Sequence, residues 1–327
     1  MKRTFVLVVF CLLLVGSIEH ASTQKLEGLF CPVFTPLNSE YQVNVSVIPD
    51  YAKYLKDKGV DGVVVAANIP ESSNLSVREK KELLDAWVAA SKPLGLKVML
   101  QVGGVPSPDI IELVRYAVSK DADGILALPP PFYSPETPED FTRYIEFLTC
   151  CSGGLPIYYD NVIANPNIAA LFIMAPYFER ASNEVENFKG MRGSFRDAML
   201  ITSEAKIRSD QEFFLNKHLA VAGAMYMGFN SYITPILNFL PELIREIRNY
   251  SNSGDSDAAS ETQDRLNHIT SLVMQQGDSI AALKAATELT SGISLGGMRA
   301  PHPALSNRDI TEIKEILNDN DIEYIEQ

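Results

Sequence analysis

The chain has 327 residues, with 41 acidic against 28 basic side chains for a formal charge of −13, and is 46% hydrophobic and 21% charged. That is the composition of an ordinary globular protein and excludes wholesale disorder. Net acidity without a Lys/Arg cluster beyond short pairs argues against nucleic acid and anionic membrane surfaces as partners.

Met1-Lys2-Arg3 is a basic start before the apolar run from Phe5 to Val15, the pattern of a secretory signal peptide. Candidate cleavage points lie after Ser17 and near Ala21, so residues 1–22 are set apart from the fold and a secreted or lumenal protein is expected. A membrane anchor is the rival reading, but the run is well short of the ~20 apolar residues that a spanning helix needs. Roughly 305 residues remain, a normal length for one α/β barrel. Cys11 leaves with the signal, and Cys31, Cys150 and Cys151 are too few for a disulfide scaffold. Their odd number leaves at least one thiol free or paired between chains, and their spacing fits no metal site. Sequons at Asn44, Asn74 and Asn249 are candidate glycosylation sites on exposed loops.

Past the signal, short apolar runs alternate with helical spacing. Gly28 to Phe34 predicts a strand closed by Thr35-Pro36, and Val47 to Lys58 a helix stopped at Gly59. Asp61 to Ala66 predicts the second strand, followed by a helix that opens on the capping box Ser76-Val77-Arg78-Glu79. Strands at 97–102, 124–128 and 155–159 follow, with helices at 108–119, 139–150 and 168–180 between and after them. The sixth strand falls on Phe188-Lys189-Gly190-Met191. The spacing then predicts a helix over 197–204, a seventh strand at Lys206–Arg208, a helix over 212–221 and an eighth strand at Ala224–Met227. Strands with continuous rather than alternating apolarity are buried on both faces, and eight strand–helix units make a (β/α)8 TIM barrel. The barrel is expected over 23–230, and 231–327, helical in pattern, as a C-terminal helical extension packed on it. A doubly wound open sheet is the rival topology, but no Gly-x-Gly-x-x-Gly follows the first strand.

These residues carry a resemblance. Gly28 with Thr35-Pro36, Pro129-Pro130, Leu155-Pro156-Ile157-Tyr158-Tyr159, Phe188-Lys189-Gly190-Met191, Gly223-Ala224, and Lys284-Ala285 with Ser291-Gly292-Ile293 occur in one order. In this the chain resembles the N-acetylneuraminate lyase and dihydrodipicolinate synthase family, nearest to the animal-type sialic acid lyases, over about residues 26–300. The resemblance implies a class I aldolase that needs no cofactor or metal, cleaves sialic acid to pyruvate and N-acetylmannosamine through a lysine Schiff base, and assembles as a homo-oligomer, commonly a homotetramer.

The site positions that the resemblance implies are changed in this chain. The lysine that ends the sixth strand is Arg192, and a guanidinium stays protonated and offers no amine lone pair to a ketone. Lys189 lies three residues earlier, so strand alternation puts it on the opposite face, about three rises of ~3.3 Å away, and an exposed lysine at a strand start is expected. The fifth-strand tyrosine falls on Asp160, with Tyr158 and Tyr159 out of register. The threonine pair after the second strand becomes Asn68-Ile69, where only Asn68 can donate, and Glu71 is read as an anchor of that loop. Sugar-binding positions after the seventh strand fall on Asp210 and Gln211, and the serine after the eighth on Met227.

Loss of lysine, tyrosine and the threonine pair together predicts a catalytically degenerate member. Arg192 would then hold the carboxylate of a sialic acid or 2-keto acid, or Arg192 and Asp160 would pair with each other and close the site without a ligand. A lyase working by a modified mechanism and a structural secreted barrel are the alternatives. His218, His268 and His302 form no cluster in the sequence, which leaves metal and Ser-His-Asp chemistry without support.

Overall fold

A computed structural model describes residues 25–67, 71–130, 135–161 and 174–325. The expected signal peptide at 1–22 lies outside the described residues. Eight parallel strands close into a barrel in chain order: β1 Leu29–Pro32, β2 Gly62–Val65, β3 Lys97–Val102, β4 Gly124–Ala127, β5 Ile157–Asp160, β6 Phe188–Gly193, β7 Glu212–Leu215 and β8 Tyr232–Ile233, which pairs back onto β1. Parallel neighbours require a crossover. Among the described residues the crossovers carry α1 Ile48–Asp57, α2 Val77–Ser91, α3 Ser107–Ser119, α4 Pro138–Thr149, α5 Ala175–Glu184, α6 Phe195–Glu204 and α7 Val221–Tyr226. The (β/α)8 barrel is thus present, and the Ser76/Glu79 capping box opens α2 as the sequence predicts.

Both strand faces are buried, which explains the continuous apolarity. Phe30, Val64, Met99, Leu126, Tyr158, Phe214 and Ile233 form the inner cluster, one from every strand but β6. The Phe214 ring stands edge-on to Phe30 and to Tyr158, each at 5.4 Å between centroids. Beside Tyr158, β6 presents Gly190, where a Cβ would fall 1.8 Å from the Glu212 carbonyl oxygen and φ is +135°. Only glycine allows β6 and β7 to approach this closely. Below this layer Leu26 enters the barrel, its N–H donating to the Tyr158 hydroxyl at 2.6 Å, and Lys25 pairs with Glu212 at 2.7 Å. Together they close the end of the barrel at which the strands begin.

The C-terminal helical extension is α8 Pro241–Ser253, α9 Ser256–Met274, α10 Ser279–Ser291 and α11 Asn307–Asp319. Helix α9 packs against α7, α8, α10 and α11. Helix α10 reaches the barrel through Lys284, whose ammonium donates to the Thr35 carbonyl at 2.8 Å, to Glu71 at 3.0 Å and to the Gly297 carbonyl at 3.0 Å. Among the described residues, no helix is long and apolar enough to cross a membrane.

The last two strands differ from expectation. Lys206–Arg208 is not a strand, and the run 212–221 is not a helix: β7 is Glu212–Leu215. Ala224–Met227 belongs mostly to α7, and β8 is Tyr232–Ile233, beyond the boundary expected at 230. The reason is packing. Phe213 and Leu215 face the helical shell while Phe214 fills the barrel, and a short apolar run does not reveal by periodicity alone which element it forms.

Candidate active site at the carboxyl ends of the strands

Two residues beyond the Tyr158 and Gly190 level, Asp160 ends β5 and stands in register with Arg192 on β6. One guanidinium nitrogen, Nη1, donates to both Asp160 oxygens at 2.9 and 3.0 Å, while Nε reaches past β7 to the Ile233 carbonyl on β8 at 3.0 Å. From β3, the Gln101 amide donates to Asp160 Oδ2 at 2.7 Å. Asp160 is fully buried and Arg192 is 6% exposed. The group ties β3, β5, β6 and β8 across the barrel interior, directly above the apolar layer.

Burial pushes the Asp160 carboxyl above its ordinary value, against the pull of Arg192 and the Gln101 hydrogen bond. Charges taken this far from water persist only when paired and hydrogen-bonded, and the arrangement here supplies both. Chemically it offers no nucleophile. Tyr158 turns to Leu26 at the opposite end of its strand, and Tyr159 faces outward, edge-on to Phe141 at 4.8 Å. Neither hydroxyl replaces the missing tyrosine, as their register predicts.

Lys189 takes no part in this group. Ile157 pairs with Phe188 and Tyr158 with Gly190, so Lys189 is an extra residue at an irregularity in the β5–β6 ladder. Contrary to expectation it is buried, at 3% exposure, with its ammonium on Asp210. The bulge breaks the simple alternation on which the expected exposure rested.

Asp210 and Gln211 precede β7 rather than follow it, which places them at the wrong end of the barrel for the expected sugar contacts. Asp210 holds Lys189 and, at 2.9 Å, Arg208; Gln211 donates to the Ser182 hydroxyl at 2.8 Å and the Phe188 carbonyl at 3.0 Å. Met227 caps the end of α7 and is 52% exposed. It too is away from the strand ends that form the site. Asn68 and Ile69 lie outside the described residues. Glu71 is a loop anchor, as read: its other oxygen accepts the Thr35 N–H at 3.0 Å while Lys284 holds the first.

With the strands correctly placed, β7 is followed by Asn216, Lys217 and His218, and β8 by Thr234. The sequence reading missed these. Asn216 Oδ1, Thr234 Oγ1 and, after β5, Asn161 Nδ2 are buried and without a partner among the described residues. Burial, helped by neighbouring Lys217, lowers the His218 imidazole to about 4, so it is neutral at physiological pH. The Phe213-Phe214-Leu215 run was the available signal, since residues after a barrel strand are those that face the site. Among the described residues no group of three or more His, Cys, Asp or Glu could hold a metal.

Of the sequons, Asn249 is exposed on α8. Asn44 caps a turn by accepting from the Ser46 N–H at 3.2 Å and hydroxyl at 2.6 Å. Asn74, expected on an exposed loop, has a buried side-chain nitrogen.

A closed parallel barrel with its buried polar group at the carboxyl ends of β5 and β6 defines the class: a (β/α)8 protein with the site geometry of that fold. The sequence profile of the dihydrodipicolinate synthetase family matches residues 25–320, and the chain belongs to that family. Among curated relatives, the N-acetylneuraminate lyase of Homo sapiens is 25% identical over 296 residues, 89% of this chain and 91% of the relative. That of Danio rerio is 26% identical over 282 residues, 85% and 91% of the two chains. Among solved structures, Proteus mirabilis N-acetylneuraminate lyase superposes with a TM-score of 0.82 at 23% identity, covering 91% and 99% of the two chains. A catalytic lysine mutant of Ruminococcus gnavus sialic acid aldolase gives 0.81 at 22% identity, covering 90% and 96%.

Proposed function

We propose that this protein is a secreted, catalytically degenerate relative of the N-acetylneuraminate lyases, in which an internal ion pair stands where imine chemistry would occur. The carrying observation is the buried Arg192–Asp160 pair, which is satisfied within the protein by Gln101 and the Ile233 carbonyl. A solved relative is described by its catalytic lysine, and the resemblance puts Arg192 at that position. The basic start and apolar run at 1–15 support secretion.

The test is incubation with pyruvate and borohydride, read by intact mass. No adduct is expected, and a stable adduct would overturn the reading. Arg192→Lys with Asp160→Tyr restores the chemical groups that the resemblance implies, and adduct formation in that double variant alone would locate the loss at these two residues.

A second reading, retention of a carboxylate ligand, is favoured by two donors at the strand ends without a partner among the described residues, the Thr234 hydroxyl and the Asn161 amide nitrogen. Calorimetry with pyruvate and sialic acid separates the two: heat of binding supports retention, and its absence at millimolar ligand leaves the closed barrel.

A further inference from the structure

Away from the barrel mouth, α4 ends in two adjacent cysteines, and all three cysteines among the described residues are free. Cys150 caps the helix with αR geometry and Cys151 follows it. Both thiols swing back along the last turn: Cys150 Sγ donates to the Phe147 carbonyl at 3.0 Å and Cys151 Sγ to the Leu148 carbonyl at 3.8 Å. They are covalent neighbours at the helix end, and Arg115 of α3 bears on Cys151 electrostatically, favouring its thiolate. Cys150 is exposed and Cys151 half-buried. The residues after them are Ser152, whose hydroxyl accepts from Asn187 at 2.9 Å, and the exposed Gly153 and Gly154, with φ of +57° and +87°. Cys31, by contrast, is fully buried against Asn238.

We propose that Cys150 and Cys151 form an accessible vicinal dithiol that a small-molecule disulfide oxidises to a disulfide between the two neighbouring residues. The exposed Cys150 loses its proton and its thiolate attacks one sulfur of the reagent, forming a mixed disulfide and expelling the first thiolate, which takes up that proton. Cys151 then loses its proton and attacks Cys150 Sγ, breaking the mixed disulfide and expelling the second thiolate, which is protonated in turn. Two protein thiols are oxidised and the reagent takes up two electrons, leaving as two thiols. Burial and the neighbouring Cys150 raise the Cys151 thiol to about 11, which lowers its thiolate fraction at neutral pH.

The experiment uses the full folded protein, reduced, freed of reductant and treated with glutathione disulfide. Before oxidation, maleimide is expected to label two thiols natively and a third, Cys31, only after unfolding. After oxidation the intact mass falls by two hydrogens, no glutathione is retained, and native labelling is lost. Cys150→Ser and Cys151→Ser each carry one glutathione instead. A wild-type protein that keeps a glutathione adduct, links into a disulfide dimer on a non-reducing gel, or stays fully reduced would overturn the proposal.

Discussion

Two buried ion pairs support this barrel, and they are built differently. Arg192–Asp160 joins side chains across the interior, with one backbone carbonyl as its main-chain partner among the described residues. Lys284–Glu71 clamps the main chain: the ammonium holds two carbonyls and the carboxylate holds the Thr35 N–H. Burial lowers the Lys284 pKa, against the pull of Glu71, yet its three protons all have acceptors, so it is no free amine. A buried lysine is a nucleophile only where an amine hydrogen-bond position is left open to substrate. Lys284 is used as a fastener, and the cation at the carboxyl end of β6 is a guanidinium, which offers no amine lone pair.

The clamp gives the largest expected effect. Lys284→Ala leaves Glu71 charged and buried without its partner, and is expected to destabilise by ~3–5 kcal/mol in a denaturant titration. Replacing both partners, Lys284→Met with Glu71→Leu, does not recover this loss, because three backbone groups remain unpaired at ~1–3 kcal/mol each. Recovery to wild-type stability would mean that the main-chain bonds carry nothing. Asp160→Ala likewise leaves a buried guanidinium unpaired and is expected to cost ~3–5 kcal/mol. Here the double change Asp160→Leu with Arg192→Met is expected to regain most of it, since a buried pair exchanged for apolar side chains of similar volume is often neutral or stabilising by ~1–4 kcal/mol. If the two double variants behave alike, the distinction between the pairs fails.

The barrel itself was legible in the sequence because strands buried on both faces write continuous apolar runs, and six of the eight are bounded by unmistakable turns. The last two were not, because Phe213-Phe214-Leu215 inside 212–221 also satisfies helical spacing; the error carried Asp210, Gln211 and Met227 into the site and left Asn216 and Thr234 out. Pairing of Arg192 with Asp160 was one of two outcomes open in the sequence, beside a bound carboxylate, because the two replace neighbouring site positions. The burial of Lys189 was not legible, since nothing local announces that it is the extra residue in the β5–β6 ladder.

Exposed and half-buried carboxylates sharpen the contrast through pH. Burial acts to raise Glu79, but Arg299, at 2.6 Å, and the Ser76 N–H and hydroxyl hold it at about 2 against an ordinary 4.5. Asp210 is held at about 2, from 3.8, by Arg208 first and then Lys189. Both folded values lie below the unfolded ones, so their contribution is present above about pH 4.5 and is lost as the pH falls through about 2. Asp160 has the opposite sign: its raised value makes its contribution full below the ordinary 3.8 and lost as the pH rises through the folded value. Urea midpoints between pH 6 and pH 2, on the order of the range those values span, are expected to fall less steeply for Glu79→Gln and Asp210→Asn than for wild type. Unchanged slopes would show that these carboxylates are not held low in the folded state.

The smallest effect concerns sugars, and it probes the clamp from outside. Asn74 follows Glu71 by one short turn, its N–H donating to the Glu71 carbonyl at 2.9 Å and its own carbonyl accepting from Arg299 at 2.9 Å. A glycan is attached through the side-chain nitrogen, which at Asn74 is buried; a sugar there requires the loop that Lys284 pins to open. Asn249 on the exposed face of α8 has no such obstacle. Protein produced through a secretory pathway is therefore expected to lose gel mass on deglycosylation. Asn249→Gln reduces that shift and Asn74→Gln leaves it in place, with little change in stability for the first, as befits an exposed surface substitution within about 0.5 kcal/mol. A glycan found on Asn74 would mean that the Glu71 loop opens, and that the clamp is weaker than its three backbone contacts imply.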